Sequence, residues 1–417
     1  MGKPKIRFEG YSEDWEQRKF GEIVEKYEDP VETPTEGYTR LGIRSHAKGT
    51  FHSYVEKGKE LETAKMFRVA ADKFIVNITF GWEHAVAITD ENDAGKLVSH
   101  RFPQYSFNAG MDPKFFRYLI LDENFKHHLE LSSPGGAGRN RVLKLSDMLE
   151  YKMIFPSEAE QRKIATYFDD LDHLITLHQR KCEETKTLKK YMLQKMFPQN
   201  GHSVPEIRFS GFTEDWEQRK LGDLIEDNII IEQSDGNHGE LYPRSDEFTD
   251  AGIPYIAASA ISSSGDDIDF NLVKYLPLKR AEQFRKGVAQ NGDILLAHNA
   301  TVGPCLQLSM EYDFAILSTS LTLFRINENK MNSKFFLQML RSDLFQNQLF
   351  KYMKQTTRSQ VPILTQRKLE VCYPNNTQDQ ELIGTYLSNL DHLITLHQRK
   401  CNELKEIKKY MLQNMFV

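Results

Sequence analysis

The sequence predicts an α+β protein built twice. It has two globular α+β units, each followed by a long helix, and the two helices pair as an antiparallel coiled coil around a pseudo-two-fold axis. Three observations indicate this. The twelve residues LDHLITLHQRKC occur at 171–182 and again at 390–401. An opening segment containing EDWEQRK precedes each middle stretch. The middle stretches share little sequence, which indicates a constant frame around two different inserts.

The repeats divide the 417 residues into five segments. The opening repeats begin at Lys5 and Glu206, an offset of 206 − 5 = 201. DPKFF at Asp112 matches NSKFF at Asn332, an offset of 332 − 112 = 220, so the second middle stretch has about 19 additional residues after Leu224. We predict a first globular unit over 1–156, a helix over 157–197, a linker over 198–205, a second unit over 206–375 and a second helix over 376–417.

The first unit mixes strands and helices. The stretches 73–80 and 84–90 have the composition of β-strands and are separated by Gly81. A helix is expected to begin after Asp112 as its N-cap, with Pro113 as its first residue. This helix leads to the glycine-rich stretch SSPGGAGRNR at 132–141.

The second unit has the same kind of organisation. Strands are predicted over 253–261, 292–303 and 318–326, with turns between them. The stretch from Asn332 to Met353 predicts a helix, and KQTTRSQVP at 354–362 follows it. In both units, therefore, a helix is followed by a loop that carries arginine and small polar residues.

The closing segments are predicted to be helices about 40 residues long, hence roughly 60 Å each. Apolar residues recur at steps of three and four, as in a coiled coil, and Pro198 ends the first helix. One such helix cannot bury its apolar stripe alone, but two nearly identical helices can pair. The residues expected at the interface between them are Phe168, Leu171, Ile175, His178, Leu390, Ile394 and His397.

The midpoints of two fully overlapping antiparallel helices meet, which places Leu177, His178, Leu396 and His397 at the crossing. His173 and His178 are five residues apart, about 140° around a helix, so they do not share a metal-binding face. We therefore expect packed or hydrogen-bonded histidines and no metal site.

Polar and basic loops supply the candidate DNA-binding residues. Arginine, asparagine and glutamine read guanine and adenine edges through paired hydrogen bonds, and glycine lets the backbone approach a ligand closely. Ordinary solvated loops carry the same side chains, so the argument rests on their matching position in both units. The candidates are Arg40, Arg44, Ser45, His46, Lys48, Arg139, Asn140 and Arg141 in the first unit, and His298, Asn299, Thr301, Thr357, Arg358, Ser359 and Gln360 in the second.

Composition limits the function classes. The net charge is −5, from 54 Lys+Arg and 59 Asp+Glu, which excludes DNA binding through overall charge and requires local basic clusters or a partner's charge. The sequence has no apolar run of about 18 residues and no signal-peptide core in MGKPKIRFEG. Four cysteines without tight spacing fit a reducing compartment. We expect a cytoplasmic protein that does not bind a membrane.

The motifs give no positive case for catalysis. NITF at 77–80 is similar to the Asn-x-x-Phe signature with which amino-methyltransferases hold a flipped adenine, but it lacks the two prolines of that signature. GGAGRN at 135–140 follows a predicted helix, whereas a cofactor-binding turn follows a strand. We expect no catalytic residue, no metal and no cofactor bound by this chain. The alternatives are a stand-alone adenine methyltransferase that uses Asn77 and a coiled-coil protein adaptor.

The two openers, the two LDHLITLHQRK…LKKYMLQ-like helices and the stretch GDILLAHNATVG at 292–303 resemble the specificity subunit of Type I restriction–modification enzymes. The resemblance covers the whole chain, although the middle stretches match only in outline. It implies a non-catalytic subunit in which each middle stretch is a target recognition domain that reads one half of a split, asymmetric DNA site.

The same resemblance implies the partners. The helix pair would set the spacing between the half-sites and would bind two methyltransferase subunits, and restriction (motor–nuclease) subunits would join the complex. S-adenosylmethionine, ATP and Mg²⁺ would be held by those partners. A separation of about one DNA turn, ~34 Å, between half-sites needs readers spaced by a rigid element.

Overall fold

The computed structural model describes residues 4–60, 65–135, 141–199, 202–262, 265, 267–354 and 359–416. The chain forms two compact units: unit 1 comprises 1–177 with 401–417, and unit 2 comprises 178–400. Each long helix therefore contributes residues to both units. The sequence candidates Arg139, Asn140, Thr357 and Arg358 lie outside the described residues.

Unit 1 contains short strands and helices ahead of its long helix. The strands are β1 (Glu16–Lys19), β2 (Val24–Tyr27), β3 (Pro30–Val31), β4 (Tyr38–Ile43), β5 (Thr50–Val55), β6 (Met66–Arg68), β7 (Lys73–Val76), β8 (Val86–Ile88), β9 (Leu97–Val98), β10 (Gln104–Phe107) and β11 (Lys152–Phe155). The helices are α1 (Phe20–Ile23), α2 (Pro113–Leu119), α3 (Glu123–Leu131), α4 (Leu145–Leu149) and α5 (Glu158–Lys195), with a 3₁₀ turn at Gly81–Glu83.

Unit 2 repeats this plan with different inserts. The strands are β12 (Glu217–Lys220), β13 (Ile230–Asp235), β14 (Ile253–Ile256), β15 (Lys274–Leu276), β16 (Val288–Ala289), β17 (Ile294–Asn299), β18 (Thr301–Gln307), β19 (Ala315–Leu317), β20 (Leu321–Ile326) and β21 (Glu370–Tyr373). The helices are α6 (Leu221–Glu226), α7 (Leu278–Ala281), α8 (Ser333–Arg341), α9 (Asp343–Met353), α10 (Ile363–Gln366) and α11 (Thr377–Met415). Short 3₁₀ turns lie at Gly239–Leu241, Ser245–Glu247 and Ala258–Ala260.

Two sheets are common to the units. The small sheet pairs β1 with β11 in unit 1 and β12 with β21 in unit 2, both antiparallel. The central sheet runs β2-β10-β7-β8 in unit 1 and β13-β20-β17-β18 in unit 2, with every neighbouring pair antiparallel. The predicted α+β class is confirmed.

The third sheet differs between the units. In unit 1 its order is β3-β6-β9-β4-β5, whereas in unit 2 it is β15-β14-β19-β16. Unit 1 places the hairpin β4–β5 at one edge of this sheet, with Arg40 opposite Ser53 and Ile43 opposite Thr50. The two middle stretches therefore share a central sheet but differ in the third sheet that accompanies it.

The openers hold the frame of each unit together. In each unit, the opener's tryptophan packs edge-on against one phenylalanine of the helix after the central sheet and one phenylalanine near the end of a long helix. The ring pairs are Trp15 with Phe115 and Phe416, and Trp216 with Phe335 and Phe197, with ring centroids 5.7–6.5 Å apart. The backbone N–H of Ile6 donates to Asn414 at 2.9 Å, and Ile207 donates to Lys195 at 2.9 Å.

The helices that follow the central sheets are shorter than the sequence predicts. Asp112 caps α2 by accepting from Lys114 N at 2.9 Å, and Pro113 is the first residue, as predicted. The helix breaks after Leu119, because the side chain of Asp122 caps a new helix, α3, by accepting from the N–H of Phe125 at 3.3 Å. The predicted helix from Asn332 is likewise divided into α8 and α9.

Several predicted strands are also too long. The stretch 73–80 leaves the sheet after Val76, where Asn77 accepts from Thr79 N at 3.1 Å and closes a turn. The stretch 253–261 ends its strand at Ile256. The stretch 292–303 is a hairpin of two strands, since Ala300 takes a left-handed conformation with φ of 64° between β17 and β18.

The long helices pair in antiparallel fashion within each unit. In unit 1, Lys408 Nζ lies 2.5 Å from Asp172 Oδ1, and in unit 2 Lys189 forms the matching pair with Asp391. In unit 2, His178 Nδ1 lies 3.0 Å from His397 Nδ1. The predicted interface residues Phe168, Leu171, Ile175, Leu390 and Ile394 are buried.

The leucines predicted at the crossing behave differently from the histidines. Leu396 is half exposed and Leu177 is partly exposed, whereas His178 and His397 face each other between the helices. Adjacent residues of a helix are about 100° apart around its axis, so a helix that turns His397 inward turns Leu396 outward. No helix in the described part of the chain combines the length and apolar character that a membrane span needs.

Candidate nucleic-acid interface

In unit 1 the turn between β4 and β5 is fixed against the 3₁₀ turn at Gly81–Glu83. The N–H of His46 donates to the carbonyl of Glu83 and that of Ala47 donates to His84, both at 2.8 Å. His46 and Ala47 have φ of 61° and 48°, which is uncommon for residues other than glycine. These backbone bonds hold a turn that exposes its basic side chains in one conformation.

The basic side chains of this turn are partly anchored. Arg44 donates to the carbonyl of Thr50, and its guanidinium lies 5.3 Å from the centroid of the Phe51 ring. Arg40 uses Nε to donate to Ser53 Oγ at 2.8 Å. Both guanidinium groups therefore have part of their donor set committed while they remain exposed. Pre-organised arginines of this kind lose less side-chain freedom on binding.

The remaining candidates of the turn differ in their surroundings. Ser45 Oγ hydrogen-bonds Glu83 Oε2. His46 and Lys48 are exposed. Unit 1 thus presents the exposed side chains of Arg44, His46 and Lys48 together at the end of a hairpin.

Arg141 lies next to the same 3₁₀ turn but has a different environment. Its Nε donates to the carbonyl of Ser133 at 3.1 Å, and its guanidinium lies 5.4 Å from the centroid of the Trp82 ring. Two residues later, Leu143 N donates to the carbonyl of Ile78 at 2.8 Å. The structure therefore brings Arg141 and the β4–β5 turn to the same connection between β7 and β8, and it uses the Arg141 guanidinium to hold the base of the glycine-rich loop.

In unit 2 the two groups of candidates also come together. Ala300 N donates to the carbonyl of Ser359 at 3.0 Å, and Val361 N donates to the carbonyl of His298 at 2.8 Å. Asn299 and Gln360 form a β-bridge between these segments. Thr301 and Ser359 are exposed. The connection after β17 thus contacts the segment after α9, just as the connection after β7 contacts the segment after α3 in unit 1.

The prediction of His298 as a surface DNA contact was wrong. Its side chain is buried, and Nδ1 lies 2.9 Å from Thr322 Oγ1. Burial lowers the pKa of His298 to about 4, so the ring is neutral at physiological pH. It belongs to the core because it precedes the turn and points to the inner side of the central sheet, where β20 supplies Thr322.

Sequence reasoning missed polar residues that approach these sites from distant parts of the chain. His52 Nε2 lies 2.7 Å from Asp93 Oδ1, and His238 Nε2 lies 3.0 Å from Asp235 Oδ2. In unit 2, Asn237 Nδ2 donates to the carbonyl of Lys286 at 2.6 Å. This bond places a basic segment beside the one that carries His238. His52 is 41 residues from Asp93 and Asn237 is 49 from Lys286, so these contacts give no local signal, whereas His238 and Asp235 are only 3 residues apart.

Within the described ranges, no group of three or more His, Cys, Asp or Glu side chains could hold a metal ion. The four cysteines are buried free thiols.

The family model for the "Type I restriction modification DNA specificity domain" matches the chain twice, at residues 12–187 and 213–406. The chain belongs to this family. The resemblance drawn from the repeated openers and helices is therefore confirmed. Each matched stretch of the specificity domain contains an opener tryptophan, a central sheet, the differing third sheet and most of a long helix.

Known specificity subunits are similar over much of the chain. A type I restriction enzyme specificity subunit, MjaVIII, from Methanocaldococcus jannaschii is 24% identical over 304 residues, covering 71% of this chain and 68% of that protein. The putative MjaX specificity subunit from the same organism is 28% identical over 211 residues, covering 49% and 46%. The crystal structure of the Type I system S subunit from M. genitalium has the same fold, with a TM-score of 0.62, 15% identity and coverage of 100% and 99%.

Proposed function

We propose that this chain is the non-catalytic DNA sequence-specificity subunit of a Type I restriction–modification complex. Each unit reads one half of a bipartite, asymmetric DNA site. The long helices set the spacing between the half-sites and bind two methyltransferase subunits, and restriction subunits complete the assembly. The complex acts in the cytoplasm on double-stranded DNA.

The observation that carries this proposal is a constant frame around a variable sheet. In each unit a glutamine of the long helix accepts from the backbone N–H at the start of the helix after the central sheet. Gln161 accepts from Asp112 N at 2.9 Å, and Gln380 accepts from Asn332 N at 3.0 Å. The same two amides donate to Pro156 and Pro374 carbonyls at the start of each long helix. A frame kept in atomic detail while the third sheet changes fits a reader whose two half-sites differ.

The binding of two like partners is supported by exposed apolar residues that occur in matched sets. On its share of the long helices, each unit exposes two aliphatic side chains and one tyrosine that have an exposed counterpart in the other unit. Unit 1 exposes Leu174, Ile407 and Tyr410, and unit 2 exposes Leu393, Leu188 and Tyr191, each 219 residues from its counterpart. Exposed apolar residues in a repeated pattern indicate protein contacts, and repetition indicates the same kind of partner at both places.

The spacing role is supported by the length of the helices. The helix α5 has 38 residues and α11 has 39, which corresponds to roughly 57–59 Å at 1.5 Å per residue. Helices of this length, buried against each other along their apolar stripes, resist bending. The cofactors of the complex, S-adenosylmethionine, ATP and Mg²⁺, would be bound by the partner subunits.

Domain exchange tests the proposal. Residues 22–156 are replaced by the corresponding stretch of another specificity subunit, and the chimera is combined with its methyltransferase subunits. Sequencing of methylated adenines should show that one half of the site changes and the other half stays. A change in both halves, or in neither, would contradict the assignment of one half-site to each unit.

A second measurement separates this function from that of a stand-alone methyltransferase. The purified chain without partners is titrated with S-adenosylmethionine. We expect no binding, and methylation should require the partner subunits. Binding of the cofactor by the chain alone would refute the non-catalytic assignment.

A further inference from the structure

Unit 1 has a cleft of about 430 Å³ beside the β4–β5 turn, between the third sheet and the connection from β7 to β8. Its size falls in the range of small-molecule sites, roughly 300–1,000 Å³. Both conspicuous residues of the NITF motif, Asn77 and Phe80, line it. The cleft therefore brings a motif that the sequence left without a role to the edge of the candidate DNA interface.

The walls of the cleft are aromatic. Phe51, Phe80 and Phe102 line it from three different elements. Phe51 lies flat across strand β4, since a Cβ on Gly42 would come within 2.3 Å of its ring. The guanidinium of Arg44 covers the Phe51 ring at 5.3 Å from the centroid. Aromatic rings and arginine planes are the surfaces on which unstacked nucleobases stack.

The polar groups of the cleft form a mixed donor and acceptor set. Arg40, Asn77 and Glu83 line it. Among the described residues, the terminal nitrogens of Arg40, Nδ2 of Asn77 and Oε1 of Glu83 have no hydrogen-bond partner. The other Glu83 oxygen is held by Ser45 and Nε of Arg40 is held by Ser53. These hydrogen bonds orient the side chains, and the remaining donor and acceptor atoms can bind a ligand.

We propose that this cleft binds a single nucleobase that has left its stack. The base would lie against Phe51 and Phe80, donate its exocyclic amine to Glu83, and accept at a ring nitrogen or carbonyl from Asn77 or Arg40. Adenine, guanine and cytosine carry such an amine, whereas thymine does not. An apolar ligand would cover the half-buried Asn77 and Glu83 and leave their polar groups without partners.

The base can come from two sources. It can be a free nucleoside, or it can be a base extruded from the DNA bound by unit 1. The DNA source rests on the proposed function, whereas the nucleoside source does not.

The first experiment uses the full chain and free nucleosides. Deoxyadenosine, deoxycytidine and thymidine are titrated calorimetrically into the wild type and into Phe51→Ala, Glu83→Gln and Gly42→Ala. Deoxyadenosine and deoxycytidine, which carry an exocyclic amine, should bind more tightly than thymidine. Phe51→Ala should weaken binding about tenfold, because it removes one stacking surface. Gly42→Ala, which only displaces the Phe51 ring, should also weaken binding.

The second experiment uses the complex with its methyltransferase subunits and target duplexes that carry 2-aminopurine at one position at a time. Fluorescence rises where the base leaves the stack. An enhancement that disappears in Phe51→Ala identifies a DNA base in the cleft. An enhancement that persists in Phe51→Ala belongs to the methyltransferase and counts against the DNA source.

Tyr54→Ala is the matched control, because Tyr54 is an exposed aromatic residue on the same strand that does not line the cleft. It should leave both readouts unchanged. Absence of nucleoside binding together with absence of a Phe51-dependent enhancement would overturn the cleft assignment. Failure of the chain and its partners to bind DNA would refute the proposed function, while the nucleoside titration would still decide the cleft.

Discussion

Arg208 donates from Nε and Nη2 to one carboxylate oxygen of Asp379, at 2.9 and 2.8 Å. Arg7 makes the corresponding pair with Glu160, where each carboxylate oxygen accepts one bond at 2.7 Å. The arginines are 201 residues apart and the acids 219, the offsets of the opener and of the closing helix. A buried ion pair thus joins the two repeated segments in each unit, which explains why opener and helix are repeated together.

Removal of the arginine should destabilise its unit. Asp379 is fully buried, so Arg208→Ala leaves an uncompensated carboxylate in the core and should cost roughly 3–5 kcal/mol of unfolding free energy. Urea unfolding, followed by hydrogen exchange in unit 2, measures the loss. Lys57→Ala is the control, since its pair with Glu36 is exposed and should contribute less than about 1 kcal/mol. Equal effects of the two variants would contradict the role of the buried pair.

A charge on the exposed face of the long helices should impair partner binding without unfolding the helix pair. Leu174 and Leu393 are 40% and 41% exposed, whereas Leu171 and Leu390 are only 7% exposed. Leu174→Asp and Leu393→Asp should therefore each weaken capture of methyltransferase subunits, and the double variant should abolish it. Pull-down and analytical ultracentrifugation measure how many methyltransferase subunits each chain binds. Leu171→Asp should lower the thermal midpoint instead. Normal assembly of the double variant would refute the binding surface.

The sequence predicts the frame because the frame is repeated. The long helices follow from their periodicity and from Pro198 as the end of the first, and the α+β class follows from the alternation of strand and helix patterns. Their antiparallel pairing places His178 against His397 at 3.0 Å. The third sheets could not be derived, because their strands are as short as two residues and pair across long separations, as β4 does with β9.

The candidate sites were predictable only in part. The central sheet is common to both units. The connections after β7 and β17 therefore occupy equivalent positions, and each contacts the segment that follows α3 or α9. His298 was misassigned because a histidine before a turn gives no sequence signal of which side of the strand it occupies. The cleft was not predictable, since Phe51, Phe80 and Phe102 meet only through the third sheet.

Substitution of an arginine within a recognition loop should change the sequence preference, whereas substitution of an arginine that holds a loop should weaken DNA binding in general. Arg139→Ala or Arg358→Ala should relax sequence preference at one or two base pairs, by roughly 1–3 kcal/mol for a bidentate contact. Arg141→Ala should instead weaken binding to all DNA sequences alike, because the Arg141 guanidinium binds the Ser133 carbonyl and covers Trp82. Methylation of a randomised site library distinguishes the outcomes. A uniform loss in Arg139→Ala would mark that residue as a phosphate contact.

Acid should destabilise unit 2 through His298. Burial lowers the pKa of His298 to about 4, against an opposing effect of Asp235 and a smaller lowering by His238, whereas an unfolded histidine titrates near 6.5. Between these values the unfolded chain binds a proton that the folded chain does not, so stability falls as pH falls. The contribution is zero well above pH 6.5 and reaches roughly 3 kcal/mol of lost stability below pH 4, about 2 kcal/mol of it by pH 5.

The comparison of wild type with His298→Gln isolates this contribution from the titration of carboxylates. Glutamine can keep a hydrogen bond to Thr322 Oγ1, the partner of His298 at 2.9 Å, and it does not ionise. Urea unfolding between pH 7 and pH 5, followed by hydrogen exchange in β17 and β20, should show a smaller loss of stability in the variant. Parallel pH profiles for the two proteins would mean that His298 is protonated to the same extent in the folded and unfolded chains.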